Sequence, residues 1–438
     1  MLFRLLFSKT DIAPLVVFRI IFGILLSVEC YGAILTGWVK STLIHPQFTF
    51  SFIGFEWLQP LPGYGMYFYF LIMGTLGVCI ALGYKYRFAT ITFTFMWAAV
   101  YLMQKTSYNN HYYLLILVSG LMACFPANRY FSVDVKQHPS IKKYFMPSWV
   151  KWTVVLQLFL VYTFAAVAKM YGDWLDFEVV KTLMVDKGHF PIIGRLLQQP
   201  LVHKIIGTGG ILFDLLIIPA LLWKRSRKFA FIASVFFHLF NSVVFQIGIF
   251  PYLSLAFSVF FFEPETIRNI FFSGKSSPGD SRVEFPQQRI VLVCLALYFA
   301  LQLGLPLRHH FIKDDVVWTE EGHRMSWRMM LRSRTGMVKF QVVNKKTGES
   351  NWVALEDYIS KKQHKRIGAY PDFIWQFAQY LKKEHNQKGE EVAIYAKQSK
   401  VSINGKPMKD FIDPTTDLAQ EKWNHFRHHE WIILLGIL

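Results

Sequence analysis

Nine stretches of the chain are apolar and almost free of charge: 12–37, 65–83, 88–104, 111–126, 149–170, 205–223, 229–249, 251–263 and 289–307. A helix needs roughly twenty such residues to cross a bilayer. The fourth and eighth stretches are short, and the eighth opens on Pro251, so it reads either as a crossing or as a re-entrant piece. After Leu307 the pattern changes. Residues 338–343 (VKFQVV) alternate, KKTGE makes a turn and 351–355 follow, which predicts a hairpin. Residues 371–386 carry helical periodicity with Pro371 at the first turn, and 392–403 before NGK reads as a strand and turn. The predicted fold is an α-helical polytopic membrane bundle of about eight or nine spans over residues 1–307. A C-terminal α+β domain outside the bilayer follows over 308–438.

Composition strengthens this reading. Hydrophobic residues make up 53% of the 438, aromatics 17%, and charged residues only 17%. Disorder, collagen and coiled coil are excluded, and four cysteines cannot staple a chain of this length. Cys30, Cys79, Cys124 and Cys294 all lie in apolar runs, where buried free thiols are expected. The net charge of +18 raises the question of nucleic acid. Its distribution answers no: Lys85 and Arg87, Arg129 to Lys143, and Lys224 to Lys228 fall on alternate links, the pattern of cytoplasmic loops. Nine crossings then put the N-terminus inside and residues 308–438 outside. The first apolar run is too long for a cleavable signal peptide and reads as an uncleaved anchor.

Ionisable groups inside spans cost roughly 2.5–3.5 kcal/mol each and require a reason. They are Arg19, Glu29, Lys169, Asp214 and His238. Arg19, Glu29 and Asp214 read as a structural ion-pair set, and His238 has Asn241 and Ser242 on its own helix face. Lys169 ends a charge-free stretch with small residues at 165, 166 and 168. A buried amine is easier to keep neutral than a solvated one, so this lysine is a candidate proton acceptor. The alternative is a snorkelling lysine paired with Asp173. The link QKTSYNNH, ending at His111, supplies hydrogen-bonding groups at a membrane surface, on the same predicted face as Lys169 and His309. No phosphate loop, dinucleotide fingerprint or zinc spacing is present, and neither His309–His310 nor His425, His428 and His429 has ligand-spaced partners, so no metal is expected.

At these residues the chain resembles the vitamin K-dependent γ-glutamyl carboxylase family. The matching stretches include VFRIIFG around Arg19, KTSYNNHYYL around His111, FPANRYFSVD, FAAVAKMYGDW around Lys169, GGILFDLL around Asp214 and FHLFNSVVFQIGIFPY around His238. LPLRHHF, SWRMMLRSRTG and FIDPTTDLAQEKW match the family's outer domain. The resemblance implies that Lys169 deprotonates a reduced naphthoquinone, which reacts with O2 to give an alkoxide base and finally the epoxide. That base removes the γ-proton of a glutamyl side chain, and the carbanion takes CO2. The resemblance also implies that Asn110 and His111 hydrogen-bond the quinol, with His238, Asn241 and His309 as further polar wall. Ile247, Met329, Met330 and Arg334 would shape the glutamate end, Arg334 pairing with the carboxylate. Animal members differ in having two lysines where this chain has Ala168–Lys169, Trp at Tyr108, and a longer C-terminal part used in recognising substrate proteins. The resemblance thus points to a bacterial homologue in the inner membrane, with its active site facing outward. Menaquinol, O2 and CO2 would be co-substrates and a glutamate-containing protein or peptide the partner. A quinol epoxidase without carboxylation, or a non-catalytic quinone- or lipid-binding protein, are the alternatives.

Overall fold

The computed structural model describes residues 2–272 and 288–437. Helices α1 (Ala13–Leu35), α2 (Gly65–Leu82), α3 (Tyr86–Met103), α4 (Asn110–Cys124), α5 (Trp149–Ala168), α6 (Pro200–Leu222), α7 (Arg227–Phe245), α8 (Phe250–Ala256) and α9 (Gln288–Leu307) form the bundle. Among the described residues, six helices are long and apolar enough to cross a membrane: α1, α2, α5, α6, α7, and α9 with its extension to Phe311. The other three apolar runs fall short for different reasons. Threonines and Arg87 dilute α3, α4 has 15 residues, and α8 passes into a 3-10 turn over Phe257–Phe260.

The closest packing is between α1 and α2. A Cβ on Gly23 would lie 2.3 Å from the Ala81 nitrogen, and Gly77 leaves no more room beside Ser27. Small residues at such spacing let two backbones touch, which in lipid substitutes for hydrophobic driving force. Ser27 adds a hydrogen bond to the Gly74 carbonyl at 2.8 Å.

The expected ion-pair set of Arg19, Glu29 and Asp214 does not form. Arg19 is 1% exposed and donates to the carbonyls of Ala127, Ala81 and Phe131 at 2.9, 3.2 and 2.8 Å. A guanidinium has five fixed donors, so it can tie the 126–131 link to two helix ends by itself. Glu29 accepts from the Tyr112 hydroxyl at 2.7 Å, and Asp214 pairs with Lys169. The basic links collect at one end of the bundle. Lys85 and Tyr86 donate backbone N–H groups to Asp134, Arg227 pairs with Glu263, and Arg268 with Asp11.

The C-terminal domain covers the other end. Strands β1 (Arg334–Asn344), β2 (Ser350–Trp352), β3 (Val392–Ile403) and β4 (Lys409–Asp410) form an antiparallel sheet in the order β2-β1-β3-β4, and the hairpin, the strand and the helix α10 (Pro371–Gln387) match expectation. Phe340, Phe373, Phe377, Leu381 and Ile394 make its core, which also takes in Phe50 from the link after α1.

Candidate functional site

Two cavities of unlike character meet where the domain sits on the bundle. A polar cavity of about 700 Å³ lies under the domain. An apolar cavity of about 490 Å³ lies among α5, α6 and α7. His111, Ile247, Phe250, Met329 and Met330 line both and form the neck between them.

The first turn of α4 supplies one side of the neck. Asn109 caps the helix by accepting from the Tyr112 N–H at 2.7 Å, which fixes Asn110 and His111 at its start. Asn110 lines the polar cavity. It accepts from the Tyr108 hydroxyl at 2.8 Å and donates to the Arg328 carbonyl at 3.1 Å. The His111 ring lies flat on Phe250, centroids 3.8 Å apart. Phe250 follows the turn 246–249, where Gln246 and Gly248 stand at φ 51° and 64°.

The opposite side comes from residues 325–330. Met325, Trp327 and Met330 hold φ values of 59°, 58° and 50°. Such conformations cost a non-glycine residue about 1–3 kcal/mol and persist only when the surroundings enforce them. Trp327 is the anchor: it is 1% exposed and its ring sits 5.0 Å from that of Tyr113. The Met325 N–H donates to the Tyr108 hydroxyl at 2.7 Å. The loop so fixed turns Met329 and Met330 into the neck.

Lys169 stands at the C-terminal end of α5 and lines the apolar cavity. It is 7% exposed. Its partner is Asp214 of α6, Nζ to Oδ2 2.6 Å, and not Asp173, which is taken by Lys406 and Asn404 of the domain at 2.6 and 2.9 Å. Asp173 points to the domain because the chain turns at Met170 after the helix ends, so the helical i+4 spacing does not apply. The amine also donates to the Ala165 carbonyl at 3.4 Å, and the Trp174 ring lies 5.5 Å from it. His238 of α7 pairs with the Tyr162 hydroxyl at 3.1 Å, and its Nδ1 is buried without a partner. Asn241 completes this wall.

Two expected site residues lie elsewhere. Arg334 lines neither cavity. It donates to the carbonyls of Ala369, Val317 and Trp318, sits 3.7 Å from Glu320 and rests on Phe411. Burial lowers its pKa to about 10 although Glu320 works the other way. Its Nε and Nη1 hold the domain's base together, while its Nη2 is buried without a partner and away from both cavities. His309 bonds the Pro306 carbonyl at 2.7 Å and packs against Gly322, outside both linings.

Arg328, which the sequence reading did not single out, has a different setting from Arg334. It lines the polar cavity. Its Nε is buried without a partner, whereas Arg324 pairs with Asp372 and Arg332 with Glu320. Burial, and then the neighbouring Arg332, lower its pKa, although Asp315 and Glu320 oppose. An anion entering the cavity would therefore meet an unspent guanidinium. The signal in the sequence was the density of arginines in SWRMMLRSR, but nothing there separates the three. Among the described residues no group of three or more His, Cys, Asp or Glu side chains could hold a metal ion. His428 and His429 instead share Glu321, at 2.7 and 2.6 Å.

Comparison with known proteins agrees with this layout. Residues 7–265 match the HTTM domain, and residues 287–436 match the vitamin K-dependent gamma-carboxylase lumenal domain. No solved structure matches the chain. The second match takes in the last bundle helix, α9, as well as the C-terminal domain, and the two matches support a carboxylase-related function in a membrane setting. The chain belongs to the vitamin K-dependent gamma-carboxylase family.

Proposed function

We propose that the protein is a peptidyl-glutamate carboxylase that couples quinol epoxidation to carboxylation. A reduced naphthoquinone, vitamin K hydroquinone or menaquinol, occupies the apolar cavity, and its oxidation by O2 to the epoxide supplies the base for removing a glutamyl γ-proton. CO2 adds at that carbon to give γ-carboxyglutamate. The observation carrying this reading is the neck: an apolar cavity holding a buried amine opens onto a polar cavity holding an unpaired guanidinium.

Each wall then has a task. Lys169 accepts the first quinol proton, and Asp214 holds the amine in place. His111, whose ring nitrogens take no hydrogen bond from the described residues and whose ring lies flat on Phe250, faces the second oxygen at the neck. His238 and Asn241 extend that polar wall. Ile247, Phe250, Met329 and Met330 keep water from the neck, where a strong base would otherwise be quenched. Arg328 pairs with the substrate carboxylate, and Asn110 ties its backbone to α4. The substrate is a glutamate-containing protein or peptide. In this reading the end with the basic links lies in the cytoplasm and the domain on the outer face of a bacterial inner membrane, a direction that the excess of Lys and Arg in those links supports.

Purified protein supplied with reduced quinone, bicarbonate and a glutamyl peptide should yield epoxide and carboxylated peptide, read separately. Lys169→Ala should abolish both products, because both depend on the quinol losing its proton. Lys169→Arg should not restore them, since guanidinium stays protonated. Removing the amine leaves Asp214 buried and unpaired, so the double variant Lys169→Ala/Asp214→Asn controls for folding by monodispersity. A well-folded Lys169→Ala protein making epoxide at the wild-type rate would sink the assignment. Epoxide without carboxylated peptide from the wild type would instead favour the epoxidase alternative.

A further inference from the structure

The apolar cavity opens sideways. Lys169, Asp214, His111, His238 and Asn241 are among its polar lining, and Ile205, Gly209 and Gly210 of α6 with Ala233, Phe236 and Phe240 of α7 form a stretch of apolar wall. Several of these wall residues also face outward: Ile205 is 62% exposed and Phe236 73%, and Gly209 and Ala233 are exposed as well. Gly209 lies nine residues along a helix of 23, roughly 14 Å from its Pro200 end at 1.5 Å per residue. The opening is therefore at mid-depth of two helices that are both long and apolar enough to cross a membrane. It faces hydrocarbon.

The glycines of α6 explain why there is a gap at all. Glycine weakens a helix, so each one calls for a reason. Gly207 has one, since a Cβ there would press on the Phe177 ring at 2.6 Å. Gly209 has no such neighbour: a Cβ there would meet nothing within 4 Å, and at Gly210 the nearest atom is Trp174 Cζ2 at 3.8 Å. No packing demand keeps position 209 small. What an added side chain would fill is the opening itself.

We propose that the gap between Gly209 and Ala233 is a lateral portal. A lipid quinol enters ring first from the bilayer, and its isoprenoid tail stays threaded through the gap while the ring reaches Lys169 and the neck. This rests on the quinol reading above and adds how the ligand arrives and where its tail lies. Volume supports it: about 490 Å³ is the size of a pocket for one drug-sized ligand. A ring bearing several isoprene units is longer than that, so its tail must leave, and the exit lined by apolar side chains is this one.

The test is a comparison of two ligands in purified protein reconstituted in lipid nanodiscs. Displacement of a radiolabelled naphthoquinone gives Kd for a form with a long polyisoprenyl tail and for a tailless form. Gly209→Trp and, independently, Ala233→Trp should raise the Kd ratio of long-tailed to tailless ligand at least tenfold. Gly209→Ala, which adds a methyl in open space, should keep the wild-type ratio. Equal weakening of both ligands by the tryptophan variants, or undiminished binding of the long-tailed form, would overturn the portal. Wild-type protein that binds neither form would instead remove the quinol reading, and the portal with it. Competition by phospholipid acyl chains at wild-type strength, with no dependence on tail length, would assign the gap to bulk lipid and refute the proposal.

Discussion

Arg328 and Arg334 differ by six positions and by everything that matters to an anion. Arg334 has its Nε and Nη1 committed to three carbonyls and its charge near Glu320, with the side chain 2% exposed and outside both cavities. Arg328 shares only its carbonyl, with Asn110, and its guanidinium faces the polar cavity. A charged hydrogen bond contributes about 1.5–3 kcal/mol, which is about ten- to a hundredfold in an equilibrium constant. Arg328→Ala should therefore raise the peptide KM for carboxylation by that factor and leave peptide-independent epoxidation within about twofold. Arg334→Ala should act on the fold instead, losing about 3–5 kcal/mol because buried acceptors and Glu320 are left without their cation. Steady-state kinetics beside thermal melts separate the two. A large KM effect from Arg334→Ala at full stability, with none from Arg328→Ala, would return the substrate carboxylate to Arg334.

At the scale of elements, a buried carboxylate helps to clamp the domain to the bundle. Asp372 opens α10 and is paired with Lys105, from the link between α3 and α4, at 2.6 Å and with Arg324 at 2.7 Å. Burial alone would raise its pKa, but Arg324 and Lys105 outweigh it and hold it down to about 2. The folded value lies below the unfolded one, so the contribution to stability is complete above about pH 4. It is lost as pH falls through about 2, and a shift of this size corresponds to about 2 kcal/mol. Hydrogen exchange at residues 104–107 and in the first turn of α10 should accelerate over that window. Asp372→Asn should weaken protection at neutral pH and flatten its acid dependence. An unchanged acid limb in Asp372→Asn would show that another carboxylate governs docking. The elements themselves were largely legible in the sequence, because a bilayer demands long apolar runs and a one-sided sheet demands alternation. The pairings were not. Asp214 meets Lys169 from 45 residues away, a tertiary event that leaves no periodic trace. Three left-handed residues, Met325, Trp327 and Met330, shape the loop from which Arg328 faces the polar cavity, and no periodicity in the sequence marks them.

For the whole molecule, what matters is which end faces which compartment. Exposed aromatics mark both ends of the bundle: Trp57 and Tyr64 at 75% and 77% beside the domain, and Trp223 at 62% at the far end. Tryptophan and tyrosine concentrate at the two membrane surfaces, so these residues bracket the hydrocarbon layer. Charge then gives the direction. The links with Lys85 and Arg87, Lys142 and Lys143, and Lys224 and Arg225 collect at the Trp223 end, and an excess of Lys and Arg in short links stays on the cytoplasmic side. On the proposed function the domain and the polar cavity face outward, and a secreted or surface protein is the substrate that would meet them. Single cysteines placed at Lys346 and at Arg225, both exposed, in a chain whose four native cysteines are replaced, test the direction. An impermeant thiol reagent applied to intact cells should label the cysteine at 346 and spare the one at 225 until the membrane is opened. The reverse pattern would invert the molecule and put the glutamyl substrate in the cytoplasm, and with it the whole assignment of a secreted or surface partner.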